Sequence, residues 1–167
     1  MYMKSKLGKA IMITISALAA CAVIGGIALC MAFPNKYANE LNAAADEFGL
    51  ERRLVRSVVW AESKFDRKAV SDKGAVGLMQ LMPQTFTSCA AALRIKAPDA
   101  YDPQTNLRCG CYYLSILLEK FDGDESAALM AYNAGETNAR KFLDGDEIFP
   151  ETQKYLKDVR LAKKIYR

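Results

Sequence analysis

Glu62 stands between Ala61 and Ser63, and two further segments follow it in order: Gly74-Ala75-Val76-Gly77-Leu78-Met79-Gln80-Leu81-Met82-Pro83 and Ala131-Tyr132-Asn133-Ala134-Gly135. Together they set one carboxylate beside small, apolar and amide-bearing residues. A glutamic acid among such neighbours loses hydration of its charged form. Its pKa then rises toward neutrality, and it can give up a proton and later take one back. Gln80 carries an amide able to donate and accept, apt for a sugar hydroxyl or acetamido group. Tyr132 and Asn133 add an aromatic face and a second amide, a pair commonly used against a sugar ring and its substituents. Of the two methionines in the long segment, Met79 reads as core and Met82 as the one lining a cleft. Taken singly, each residue has a plainer reading: a solvated helix-end carboxylate for Glu62, a structural amide for Gln80, a cap for Asn133. It is the combination that points to chemistry.

The rest of the composition narrows that chemistry. The chain has no histidine, which removes Ser-His and Cys-His catalysis and most zinc sites. The net charge of +4 comes mostly from Lys4, Lys6 and Lys9. Removing those three from the 23 basic residues leaves 20 against 19 acidic, a net charge of +1. A domain so close to neutral gives no electrostatic case for nucleic acid as a partner. Cys89, Cys109 and Cys111 are an odd number; Cys89 with Cys109 is a candidate staple, and three free buried thiols are the other reading.

Residues 11–33 form a run without a single charge, and as a helix it would extend roughly 34 Å. The three lysines before it favour the cytoplasmic side. A cleaved signal has a shorter apolar core. Leu18-Ala19-Ala20-Cys21 resembles a lipoprotein processing box, but the run continues apolar well past Cys21. The expectation is therefore a basic cytoplasmic flank at 1–10, a retained membrane anchor at 11–33 and a globular domain at 34–167, outside the cytoplasm.

Helical spacing governs that domain. Tyr37, Leu41, Ala44, Ala45 and Phe48 mark one helix over 37–48, with Gly49 ending it. Leu54, Val55, Val58 and Val59 mark a second over 51–61, which puts Glu62 at its C-terminal end, where the negative end of the helix dipole favours the protonated acid. Residues 66–77 read as loop, 85–93 as helix with Pro83 near its start, and 105–121 as a long helix. Residues 125–134 form a short helix, the following stretch through Gly145 to Pro150 is irregular, and 151–165 is the last helix. No run alternates as strands do, so the fold class is mainly α, with helices leaving room for a cleft.

Glu62-Ser63, the spaced Phe65, Ala69 and Ser71, the block from Gly74 to Pro83 and the block from Ala131 to Gly135 together resemble the soluble-lytic-transglycosylase family. Asp102-Pro103, Asn106 with Gly110, and Glu151 with Tyr155 add to the match, which runs over about residues 37–165. The chain departs from the family's pattern at Arg67, where proline is frequent, and at Phe86, where a small residue is. The resemblance implies a lysozyme-like domain whose cleft holds peptidoglycan glycan strands. It implies cleavage of the β-1,4 bond between N-acetylmuramic acid and N-acetylglucosamine, leaving a 1,6-anhydro ring, with no cofactor and no metal. It implies that Ser71 hydrogen-bonds near Glu62 and the N-acetyl group, and that the Tyr155 hydroxyl points at the catalytic site. Glycosidases generally use two carboxyl groups. The motif blocks here supply one, which suits a substrate-assisted path with Glu62 as acid and then base. Asp66 and Asp72, near in sequence, are the alternatives for a second carboxylate and a hydrolytic outcome, and a catalytically silent peptidoglycan-binding domain that kept the cleft is the alternative outside enzymes.

Overall fold

The computed structural model describes residues 2–166, with the side chains of residues 2–10, 13, 29 and 30 left aside. The chain divides into two compact units, 1–34 and 35–167. The first is α1 (Tyr2–Ala32). Among the described residues no helix is long and apolar enough to cross a membrane. The anchor expected at 11–33 therefore gains no support from the fold.

The regular elements of the second unit are all helices: α2 (Ala38–Glu47), α3 (Arg52–Ser63), α4 (Pro83–Ala92), α5 (Pro103–Lys120), α6 (Glu125–Ala134), α7 (Glu136–Leu143) and α8 (Pro150–Ile165). α3 buries Leu54, Val55, Val58 and Val59, the face expected from their spacing, and packs against α8. α5 is capped by Asp102, whose carboxylate accepts from the Thr105 backbone N–H at 2.8 Å, and Pro103 opens its first turn. Asp124 caps α6 in the same way through Ser126 and Ala127. α7 corrects the irregular stretch expected after Gly135. It is a short, polar helix burying only Ala139 and Phe142, too few positions for its period to show in sequence.

The loop between α3 and α4 folds back on itself through bridges pairing Val70 with Val76 and Val76 with Leu81. The Asn106 side chain, on α5 and 1% exposed, holds it in place. Its Oδ1 accepts from Met79 N at 2.8 Å, and its Nδ2 donates to Val76 O at 3.2 Å and Ala100 O at 2.9 Å. The loop lies so close to α5 that Gly110 has no room for a side chain: a Cβ there would come within 2.8 Å of Met79 Cβ. Gly77 is hemmed in likewise, at φ 79°, with a Cβ meeting Asn106 Cγ at 2.8 Å.

Cys89 and Cys109 share a buried cluster with Leu81, Phe86 and Ala90, and both are free thiols, as is Cys111. Phe86 thus packs behind Leu81, beside the loop that carries Gln80.

Replacing Asn106 by Ala strips partners from the buried Met79 N–H. We expect a loss on the order of 3 kcal/mol, the scale for orphaning buried polar groups. Urea unfolding followed by circular dichroism measures it; a loss below about 0.5 kcal/mol would mean that the amide does not hold the loop.

Candidate active site

Glu62 occupies the last turn of α3, which stops one residue later. Lys64 and then Phe65 both take left-handed backbone, φ 52° and 64°, and turn the chain sharply away. Two such residues in succession are strained for side chains of this size. The buried Phe65 ring, 6.0 Å from that of Tyr166, helps hold the turn. Ser63 fixes the helix end to the loop: its buried hydroxyl is 2.8 Å from Leu78 O and 3.1 Å from Val59 O.

Glu62 lines a cavity of about 260 Å³ with Ser71, Gln80, Met82, Tyr132 and Asn133. Six of the seven residues singled out in sequence therefore meet in one place. Tyr155 is not on the cavity wall. It lies buried on α8, and its hydroxyl makes no hydrogen bond of good geometry. That hydroxyl is nevertheless close enough to Glu62 to favour the ionised acid. We read the contact as long or poorly aligned, as acid–base contacts often are before a ligand binds.

The Glu62 carboxyl is pushed up to about 8. Burial is the main cause. Tyr155 opposes it, the nearby charge of Glu151 adds to it, and Lys64 slightly offsets it. Burial and the Glu62 charge hold the Tyr132 and Tyr155 hydroxyls well above their ordinary range, so both remain donors.

The two amides of the cavity are each half committed. Gln80, itself left-handed at φ 45°, donates Nε2 to Ala69 O at 3.1 Å and Gly77 O at 2.9 Å. The structural reading of its amide nitrogen thus holds, and Oε1 is left for a ligand. Asn133 accepts at Oδ1 from the buried Thr152 hydroxyl at 2.9 Å, which leaves Nδ2 as the donor. The Ser71 hydroxyl accepts from Ala75 N at 3.0 Å, a turn contact that leaves its own proton available. Tyr132 donates to Met79 O at 2.8 Å and packs on Tyr113 at 5.3 Å between ring centroids. Met82 is 45% exposed at the cavity mouth while Met79 is fully buried.

Sequence reasoning missed Lys73 and Thr152, and gave Glu151 and Ser63 no part beyond the motif match. Lys73, Glu151 and Asp72, the alternative second carboxylate, also line the cavity, Thr152 orients Asn133, and Ser63 ties down the helix end. Glu151 and Thr152 stand in the first turn of α8 with Tyr155 one turn on, and the pairing of Glu151 with Tyr155 in the motif match was the available signal. Asp66 does not line the cavity; its carboxylate accepts from Lys68 N at 2.9 Å in an exposed turn.

An acid whose pKa is higher folded than unfolded holds its proton more tightly in the native state. Its contribution to stability is complete below about 4.5 and is lost as pH rises toward 8. Wild type should therefore lose stability between pH 5 and 8.5, and Glu62→Gln, which cannot ionise, should lose less. Urea midpoints at both pH values test this; parallel changes in the two proteins would contradict a raised Glu62 pKa.

The sequence model of the Transglycosylase SLT domain matches residues 39–153. Among characterised proteins, the chain is 37% identical over 108 residues to peptidoglycan transglycosylase gp16 of Escherichia phage T7, covering 62% of this chain and 8% of that protein. It is 29% identical over 144 residues to membrane-bound lytic murein transglycosylase C of Haemophilus influenzae, covering 79% and 40%. Among solved structures, an inactive Glu-to-Gln mutant of the lytic transglycosylase Slt from Pseudomonas aeruginosa superposes with a TM-score of 0.77 at 30% identity, over 83% of this chain and 25% of that one. The 70 kDa soluble lytic transglycosylase of Escherichia coli gives 0.76 at 27% identity, with the same coverage. The chain thus spans less than half the length of each of these relatives. The helical domain is lysozyme-like, as in those structures, and with about two thirds of its length matched the chain belongs to the Transglycosylase SLT domain family.

Proposed function

We propose that the protein is a peptidoglycan lytic transglycosylase that cleaves the β-1,4 bond between N-acetylmuramic acid and N-acetylglucosamine. The observation that carries this reading is a part-buried glutamic acid, its pKa raised by burial to about 8, in a cavity bordered by two half-committed amides. The family's activity and the inactivity stated for the Pseudomonas Glu-to-Gln mutant agree with it.

In the first step Glu62 gives its proton to the glycosidic oxygen. The bond from that oxygen to C1 breaks as the muramic acid's own N-acetyl oxygen attacks C1. In the second, the ionised Glu62 takes the proton of the C6 hydroxyl while O6 closes on C1 and displaces the acetamido oxygen. No water is consumed, and a 1,6-anhydro end results. Acid first and base second requires a pKa near the working pH, which burial supplies. In this reading Asn133 Nδ2 and the Ser71 hydroxyl hold the acetamido oxygen, Gln80 Oε1 accepts from a sugar donor, and Met82 and Tyr132 flank the ring; their common place on the cavity lining supports it. Tyr155 acts through Glu62, as a positioning residue, by supporting the carboxylate once formed.

Asp72 and Glu151, which line the same cavity, favour one competing reading, a muramidase in which a second carboxylate activates water. Product masses separate the two. Digestion of purified peptidoglycan should yield anhydro-muropeptides, one water lighter than hydrolysis products. Glu62→Gln should remain folded and lose at least about 100-fold in rate. Wild-type activity should fall as pH rises through about 8, where the acid loses its proton. Reducing-end products would establish the hydrolase instead, and unchanged activity in Glu62→Gln would remove Glu62 from the chemistry.

We also propose that residues 11–33 anchor the protein in the cell membrane, with 1–10 cytoplasmic and 34–167 outside. Support comes from the uncharged run after three lysines, and from the Haemophilus relative being membrane-bound by name. The anchor would confine cutting to strands near the membrane. Carbonate extraction of expressing cells should leave the full-length chain in the membrane pellet; its release would contradict a spanning helix.

A further inference from the structure

Beyond the cavity that holds Glu62 lies a second, of about 440 Å³, reaching past Thr85 and Tyr113 toward Asn138 and Phe149. The two share Lys73, Gln80, Met82, Tyr132, Asn133 and Glu151, so they are neighbouring stretches of one groove. Lys73 and Glu151 form an ion pair at this junction. Lys73 Nζ lies 3.0 Å from Oε2 and 3.3 Å from Oε1. Lys73 comes from the loop between α3 and α4, and Glu151 from the first turn of α8, 78 residues on.

The two side chains are 74% and 69% exposed, whereas Gln80, Tyr132 and Asn133 at the same junction are part-buried. The amides and the ring therefore lie deeper, and the ion pair is at the rim, joining the loop between α3 and α4 to α8. An exposed lysine–carboxylate pair of this kind contributes little and is weakened by salt. It is a fastening that opens readily.

We propose that the Lys73–Glu151 pair is a strap across the groove that sets the balance between cutting at strand ends and cutting at internal bonds. This rests on the transglycosylase reading. With the strap closed, a glycan strand reaches Glu62 by threading its end beneath the pair. With the strap open, an internal segment can be laid in from the side. Because the pair is weak, both modes operate, and ionic strength shifts the balance.

The test uses the full chain in detergent and peptide-free glycan strands of defined length, with the sizes of early products measured by chromatography and mass spectrometry. The readout is the share of internal fragments, which is independent of the total rate. At low salt, Lys73→Met should raise that share roughly two- to fivefold, the span an exposed ion pair can weigh. Lys73→Arg, which can re-form the pair, should keep the wild-type share. Wild type in about 0.5 M salt, where charges are screened within a few ångströms, should approach Lys73→Met. Equal shares for wild type and Lys73→Met at low salt would overturn the strap while leaving the cleavage reading intact. Absence of any Glu62-dependent product from every variant would instead overturn the cleavage reading, and the strap with it.

Discussion

One buried amide holds the groove in shape. Asn106 reaches from α5 to accept from Met79 N and to donate to Val76 O and Ala100 O, so all of its bonds go to main chain. The loop it holds carries Ser71, Gln80 and Met82, yet has almost no regular structure of its own beyond isolated bridges. Backbone groups that neither helix nor sheet satisfies must find partners elsewhere. Asn106 supplies them at the point where the loop passes closest to a helix, and Gly77 and Gly110 leave the space for that approach. An aspartate of the same size could not provide the donors, and a leucine could provide neither donors nor acceptor.

A second constraint acts on Glu62. Burial, which stabilises a fold when applied to apolar groups, penalises the charged form of an acid. The domain accepts that penalty where the helix ends, and surrounds the acid with groups that do not compensate it fully. Tyr155 stops short of a good hydrogen bond, and the Glu151 charge works against ionisation. The strained left-handed pair Lys64 and Phe65 begins two residues after it. Incomplete compensation and backbone strain are what a reactive site looks like when its neighbours are otherwise well packed.

Much of this was legible in the amino-acid order, for identifiable reasons. α3 was readable because Leu54, Val55, Val58 and Val59 repeat at helical spacing, and its end placed Glu62 within two residues. Met82 was separable from Met79 only through expected core use; one is exposed and the other buried. α7 escaped because a helix that buries two residues has no period to detect. Lys73 and Thr152 escaped, and Glu151 was noted without a role, for another reason. Exposed charges and a lone threonine are ordinary in sequence, and their meaning comes from which walls the fold brings together. The half-committed amides were also hidden: residue type gives Gln80 and Asn133 their capacity, but only tertiary contacts decide which atom of each remains free.

Those free atoms have a directional consequence. Ala69 O and Gly77 O occupy the Gln80 nitrogen, and the Thr152 hydroxyl occupies the Asn133 oxygen. The groove floor therefore presents an acceptor at one fixed point and a donor at another, with no freedom to exchange them by rotating either amide. A symmetric ligand would be indifferent to this arrangement. A polymer whose two ends differ would match it in one sense and mismatch it in the other, so the groove carries an arrow as well as a shape.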